Sequence, residues 1–243
     1  MAGPRTILLA IGLTASAGAV ADPAPGGCTP RLYDNGTFVT APDGGFGGAP
    51  ISAMTAPDTM LGFGSSSRLG MTVADDFKVR HAWTVSRLTF YAIGDDPGVT
   101  FSQITGVPSL SLWTGVPGGG GTRVAGPVVA SMISTHWTGV YRVFATAPTV
   151  DRHPIQQVTV QWPASFPTPL MPGTYWLQWN ELSLSQFVYT PTLVARSGDN
   201  ARQNLSADDW HAAIDTGSLR SVDFPFGVCG TTNDPLFEDD FEQ

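Results

Sequence analysis

Residues 69–79 read LGMTVADDFKV, and this stretch decides the fold class. Apolar side chains recur at almost every second position, which is the period of a β-strand with one face buried. Similar runs follow at short spacing, separated by Gly, Pro and Asn, residues that favour turns. We count about nine to eleven such runs, a pattern typical of a β-sandwich or a β-barrel. In the run at residues 83–93 the apolar parity slips between Val85 and Leu88, which predicts a β-bulge there.

The composition excludes several classes of protein. The chain has 243 residues, of which 42% are hydrophobic and 13% charged, so a core can form and charge-driven disorder is excluded. Glu and Lys, which normally cover exposed helix faces, are almost absent, and this excludes a helical bundle. We predict one short helix at residues 210–214, because residues 206–209 resemble a capping box. A net charge of −8 makes binding of nucleic acid through a basic face unattractive.

The N-terminus predicts export. Arg5 precedes a short apolar run at residues 6–14, and residues 19–21 read AVA, a cleavage pattern of signal peptides. We therefore predict a signal peptide at 1–21 and no transmembrane segment in the mature chain, which is secreted or periplasmic. A linker at 22–31 precedes a single domain at 32–230. An acidic tail at 231–243 carries five acidic residues and no base.

The two cysteines lie at opposite ends of the predicted domain. Cys28 is close to the mature N-terminus and Cys229 is close to the C-terminal boundary. One pair allows one connectivity, and an exported protein meets oxidising conditions. We expect a Cys28–Cys229 disulfide that joins the two ends of the domain.

Asp75 is the polar residue that the strand pattern singles out. It shares a face with Val73 and Phe77, so its carboxyl lies among apolar side chains and needs a partner. Three alternatives remain open: hydrogen bonds near a strand end, a salt bridge with Arg87 or Arg142, and a structural Ca²⁺ ion. We expect no other cofactor.

Trp113 and Trp176 are the candidate ligand-binding residues. In their predicted strands both alternate with apolar side chains that form the inner face, so both fall on the outer face. Exposed aromatic rings on a sheet can stack on sugar rings. The alternative is that loops or the partner sheet cover them.

Signals for an enzyme are weak. The chain lacks the G-x-S-x-G, H-E-x-x-H, P-loop and C-x-x-C motifs, and its four histidines have no metal-ligand spacing. Residues 179–181 read WNE, which looks like the Asn-Glu pair of many barrel glycosidases. That chemistry needs a second carboxylate and a (β/α)₈ frame, which a helix-poor chain cannot build. We expect Glu181 to be an ordinary carboxylate at a strand end and name no catalytic residue.

Four segments carry a resemblance to a known group of proteins. They are residues 73–77 (VADDF) with 83–90 (WTVSRLTF), residues 110–113 (LSLW), residues 172–177 (PGTYWL), and Trp210 and Asp215 followed by residues 224–226 (FPF). These segments resemble secreted bacterial β-sandwich domains of jelly-roll-like type that are poorly characterised. Residues 235–242 (PLFEDDFE) also look like a short acidic tail of exported proteins in Gram-negative bacteria. The resemblance implies fold and export and supplies no catalytic residue.

Together these observations predict an all-β protein, an antiparallel jelly-roll-like β-sandwich with at most one or two short helices. We expect a secreted, non-enzymatic module that binds an extracellular ligand, a carbohydrate or another surface component; the carbohydrate class rests on analogy with lectin-like jelly rolls. Two alternatives stay open. One is a secreted hydrolase with a site assembled from loops, and the other is a structural or surface-assembly protein without a small-molecule site.

Overall fold

A computed structural model describes residues 29–36, 38–94, 106–150, 152–182, 187–194, 200–206 and 208–233. These residues form sixteen strands and two three-residue 3₁₀ turns, at Phe46–Gly48 and Ser67–Leu69. The strands are β1 (Arg31–Asp34), β2 (Ile51–Met54), β3 (Gly62–Gly64), β4 (Thr72–Val79), β5 (Trp83–Gly94), β6 (Gly106–Thr114), β7 (Thr122–Val129), β8 (Met132–Phe144), β9 (Arg152–Gln161), β10 (Gly173–Leu182), β11 (Val188–Pro191), β12 (Leu193–Val194), β13 (Arg202–Asn204), β14 (Trp210–Ala212), β15 (Val222–Asp223) and β16 (Phe226–Thr232).

The strands form two large sheets and one small one. The larger sheet has eight strands in the order β1-β16-β5-β9-β8-β2, with β11 pairing both β5 and β3. The smaller sheet has six strands in the order β14-β13-β4-β10-β6-β7, and β12 pairs β15 separately. All strand pairs among the described residues are antiparallel except β2 and β8, which run parallel. The predicted all-β sandwich is confirmed.

The core lies between the two large sheets, as the period-2 patterns require. Trp179 of the smaller sheet is fully buried and stacks on Phe90 of the larger sheet, with ring centroids 5.1 Å apart. A second, smaller apolar cluster covers the opposite face of the larger sheet and includes Phe38, Tyr91 and Leu193. The larger sheet is thus buried on both faces over part of its area, whereas a two-layer sandwich requires burial on one face only.

The predicted bulge in β5 is confirmed. Cys229 and Gly230 are adjacent in β16, yet they pair with Arg87 and Val85, which leaves Ser86 as the extra residue of β5. An extra residue changes which side chains face inward, and this explains the slip in apolar parity.

The predicted helix at residues 210–214 is wrong. Leu205 and Asp209 lie at the end of a hairpin, where Leu205 N–H donates to Asp209 O over 3.2 Å. Asp208 lies in the left-handed region with φ of 71°, which a helix does not allow at its start. Trp210 enters β14 and pairs with Asn204 of β13. Pairing with a neighbouring strand therefore overrides a local capping signal.

The smaller sheet is curled around its outer face. Trp113 in β6 and Trp210 in β14 are four strand spacings apart, about 19 Å in a flat sheet. Their ring centroids are nevertheless only 6.2 Å apart. The loop after β6 closes over this concave face, because a Cβ atom at Gly118 would lie 2.4 Å from the Cβ atom of Trp210.

We predict that Gly118→Ala destabilises the protein more than Gly120→Ala does. Both glycines have positive φ, so alanine pays a backbone penalty of about 1–2 kcal/mol at either position. A Cβ atom at Gly118 also meets Trp210, whereas one at Gly120 meets nothing within 4 Å. Thermal unfolding of both variants checks this. Equal melting temperatures would contradict the packing of this loop on Trp210.

Candidate functional site

The candidate site is a pocket on the outside of the larger sheet, next to the second apolar cluster. Its cavity volume is about 300 Å³. One wall comes from β2 and residues 38–40, and the other comes from β12, Asp58 and residues 215–222. A buried charged side chain, Arg142 of β8, lines this pocket.

Arg142 is held by three neutral acceptors. Its Nε donates to Leu61 O over 3.0 Å, Nη1 to Ser52 Oγ over 2.9 Å, and Nη2 to Thr192 Oγ1 over 2.6 Å. Ser52 is its partner across the parallel β2–β8 pair, so the sheet itself places the hydroxyl beside the guanidinium. These bonds keep the planar group in one orientation against the pocket.

Asp215 fastens the covering segments over Arg142. Its carboxylate accepts backbone N–H donors from Thr59 and Met60 on one side and from Gly217 and Ser218 on the other. The side chain therefore joins the segment before β3 to the turn before β15. Its oxygens are occupied by these donors, which makes Asp215 a structural clamp of the pocket wall.

The electrostatics of the pocket combine a buried cation with nearby carboxylates. Burial lowers the pKa of Arg142 to about 10, while Asp58 and Asp215 act to raise it, so the guanidinium stays protonated at neutral pH. For Asp215, burial acts to raise the pKa, but four backbone N–H donors outweigh it and hold the pKa below its usual value. Arg142 and Asp215 are therefore both charged near pH 7.

The sequence contains a signal for this site that was not used. In the predicted strand at residues 139–147, Arg142 has the same parity as Val140 and Phe144, so it falls on an apolar face. The strand pattern of Asp75 names Arg142 only as a possible salt-bridge partner. The structure places the two on different sheets, and within the described residues every hydrogen bond of Arg142 goes to a neutral group.

Comparison with known proteins identifies no relative. No protein-family model matches the chain, no curated protein matches it, and no solved structure matches it. The resemblance to secreted jelly-roll-like domains therefore stays a prediction, and the site must be interpreted from its own geometry.

Trp113 and Trp176 do lie together on the outer face of the smaller sheet, where they are direct cross-strand neighbours. Trp176 is completely buried, so it has no face left for a sugar ring, and the covered alternative holds for it. Trp113 is half-buried, donates from Nε1 to Gln178 over 2.8 Å and lies beneath Arg123. The most exposed tryptophan is Trp137 of β8, at 40%, which the sequence did not single out.

Asp75 is buried and bonded to protein donors. Oδ2 accepts from Asn35 Nδ2 over 2.8 Å and from Phe224 N over 2.7 Å, and Oδ1 accepts from Asp76 N over 2.8 Å. Three N–H groups around a carboxyl would repel a cation, so the hydrogen-bonding alternative describes this site better than Ca²⁺ or an arginine does. Burial, with a contribution from Asp223, raises the pKa of Asp75 well above its usual value.

Neither a metal-binding cluster nor a membrane-spanning helix is found in the part of the chain that the structure describes. Among these residues, no group of three or more His, Cys, Asp or Glu side chains is arranged to hold a metal ion. No helix among them is long and apolar enough to cross a membrane.

The predicted disulfide involves one residue outside the described range. Cys28, the predicted signal peptide and most of the predicted acidic tail lie outside the described residues. Cys229 is completely buried, and no described cysteine is free. Arg31 pairs directly with Cys229, so the chain three residues after Cys28 runs beside its expected partner. The Cys28–Cys229 bond stays a prediction.

Glu181 is not the ordinary strand-end carboxylate that we expected. It is completely buried, and neither carboxyl oxygen has a hydrogen-bond partner among the residues that the structure describes. Within the same residues, the hydroxyls of its neighbours Ser65 and Ser66 are also buried without partners. Burial raises the pKa of Glu181 well above its usual value, so its carboxyl favours the neutral form.

We predict that Asp75→Ala lowers the melting temperature by several degrees. The change leaves Phe224 N–H and one of the two N–H groups of Asn35 Nδ2 without an acceptor in a buried place, while the other still donates to Phe224 O. Each such orphan costs about 1–3 kcal/mol. Asp43→Ala is the control, because Asp43 is exposed. Calorimetry of both variants provides the measurement, and an unchanged unfolding curve for Asp75→Ala would remove the role assigned to this carboxyl.

We predict that Glu181→Gln gains stability over the natural protein as pH rises. Glu titrates near pH 4.3 when unfolded, and its native pKa is higher, so unfolding between these values releases a proton and stability falls with rising pH. Gln has no such penalty, which amounts to about 1.4 kcal/mol per unit of pKa difference.

Urea unfolding of both proteins at pH 5 and pH 8 measures this. The advantage of Glu181→Gln should be larger at pH 8, while Asp43→Asn, at an exposed carboxyl, should show no such trend. An advantage independent of pH would mean that Glu181 is ionised in the native protein.

Proposed function

We propose that this protein is an exported, non-enzymatic β-sandwich module that binds a small extracellular ligand in the Arg142 pocket. One observation carries the proposal: a buried guanidinium, whose hydrogen-bond partners among the described residues are all neutral, lines an open cavity. Burying a charge without an ion-pair partner is costly, and a ligand group would offset that cost. Carbohydrate or another surface component is the ligand class that we favour.

The two alternatives receive less support. A loop-assembled hydrolase needs a histidine beside a nucleophile and a carboxylate, and no histidine is found among the described residues that line this pocket. A purely structural protein would show a flat surface and wholly buried tryptophans, whereas this chain has a pocket and an exposed Trp137.

Export is part of the proposal and is supported by the N-terminal sequence. Arg5, the apolar run and the AVA motif match a signal peptide, and a Cys28–Cys229 disulfide fits an oxidising compartment. The register of β1 against β16 brings the chain near Cys28 to Cys229. We propose the periplasm or the cell exterior as the location.

We predict that Ser221→Trp abolishes ligand binding. Ser221 is half-buried and lines the pocket, so an indole there fills the cavity. The purified protein is tested on an array of bacterial and host glycans, and ligands that bind are titrated by calorimetry. Ser165→Trp, at an exposed position, is the matched control and should bind normally.

The array distinguishes the possible sites. Binding that falls at least tenfold in Ser221→Trp supports the pocket. Binding lost in Trp113→Ala and retained in Ser221→Trp would move the site to the outer face of the smaller sheet. An array without any bound ligand would contradict a carbohydrate-binding function.

A further inference from the structure

The guanidinium of Arg142 keeps unused donor capacity. Arginine has five N–H donors, and three of them are used by Leu61, Ser52 and Thr192. One N–H remains on each terminal nitrogen. Two donors on one rigid planar group match the two oxygens of a carboxylate.

The charged side chains around Arg142 favour a ligand group with a single negative charge. Asp58 and Asp215 also line the pocket and are close enough to Arg142 to act on its charge. Arg220 adds a second cation on an exposed residue. Two cations and two carboxylates leave the pocket nearly neutral. A dianion such as phosphate costs more to remove from water than a monoanion does, and a pocket without net positive charge does not offset that larger cost.

The size and walls limit the rest of the ligand. A cavity of about 300 Å³ is at the lower end of the range for small-molecule sites, so it holds one small molecule or one sugar ring. Phe38 and Leu193 supply an apolar wall, and Thr40 and Ser221 supply hydroxyls.

We infer that the group recognised in this pocket is a carboxylate, held by the two remaining N–H donors of Arg142, and that the natural ligand is a small carboxylate-bearing molecule such as an acidic sugar. This inference rests on the proposed function, because it names the ligand class of the same site. The carboxylate of Asp58 repels a ligand carboxylate and therefore lowers the affinity of the pocket for it.

Matched pairs of probes test the carboxylate itself. Acetate is compared with acetamide, and glucuronate with glucose, by following the Arg142 Nε–H signal in two-dimensional NMR titrations. We expect acetate and glucuronate to move this signal and to bind at least tenfold more tightly than their neutral partners. Phosphate should bind more weakly than acetate.

Two variants are expected to change the affinity for acetate in opposite directions. Arg142→Lys keeps the positive charge but loses the planar group with its two free N–H donors, and should weaken acetate binding at least tenfold. Asp58→Asn removes a competing negative charge and should strengthen it about threefold or more, as expected for one partly screened charge. Asp43→Asn is the control and should change nothing. If Arg142→Lys does not fold, the effect of Asp58→Asn on acetate affinity still tests whether the pocket recognises an anion.

Each remaining outcome overturns the inference. If acetamide or glucose binds as tightly as its acidic partner, the inference of carboxylate recognition is wrong. The proposed function would still stand if Ser221→Trp blocked binding on the glycan array. Phosphate binding more tightly than acetate, or Asp58→Asn binding acetate more weakly than the natural protein does, would contradict the inferred preference for a single negative charge. No movement of the Arg142 signal with any probe would exclude anion recognition here, and the array alone would then decide the function.

Discussion

The buried carboxyl of Asp75 is the interaction on which the arrangement of the two sheets depends. It lies in β4 of the smaller sheet and accepts hydrogen bonds from Asn35, just after β1, and from Phe224, just before β16. β1 and β16 are neighbouring strands of the larger sheet and carry the two ends of the described chain. One side chain therefore ties both ends of the domain to the opposite layer across the apolar core. Van der Waals packing alone tolerates sliding of two sheets, whereas these directional bonds fix one register.

Sequence reasoning succeeded where the information is local. The alternation in β4, β9 and β10 predicts strands, and the slip between Val85 and Leu88 predicts the bulge, because each depends on which face a side chain occupies. It failed where contacts between distant segments determine the local structure or the burial of a side chain. The capping signal before Trp210 yields to pairing with β13, and the burial of Trp176 follows from the curl of a sheet and from a loop that no local pattern describes. Asn35 donates to Asp75 from 40 positions away, a contact that no local pattern predicts.

The candidate site shows the same division. Its arginine lies on a predicted strand, so its apolar surroundings were available from the parity of Val140 and Phe144. The segments that turn this surface into a pocket come from residues 38–40, 55–61 and 215–222, which are far apart in sequence. Asp215 assembles them, and its partners Thr59 and Met60 lie more than 150 positions away. A sequence without aligned relatives contains no signal for such a contact.

Three buried ionisable groups in this molecule have different environments, and the differences indicate different roles. Asp75 is surrounded by donors in a closed core, so its environment is complete without a ligand. Glu181 has no hydrogen-bond partner among the described residues, and burial drives it toward the neutral form, so it has no charge for a ligand to neutralise. Arg142 stays charged, uses three of its donors and borders an open cavity. A permanent charge with spare donors at an accessible surface is the one of the three that an added molecule can complete, and this is why ligand binding is assigned to the outside of the larger sheet and not to the tryptophan-rich face of the smaller one.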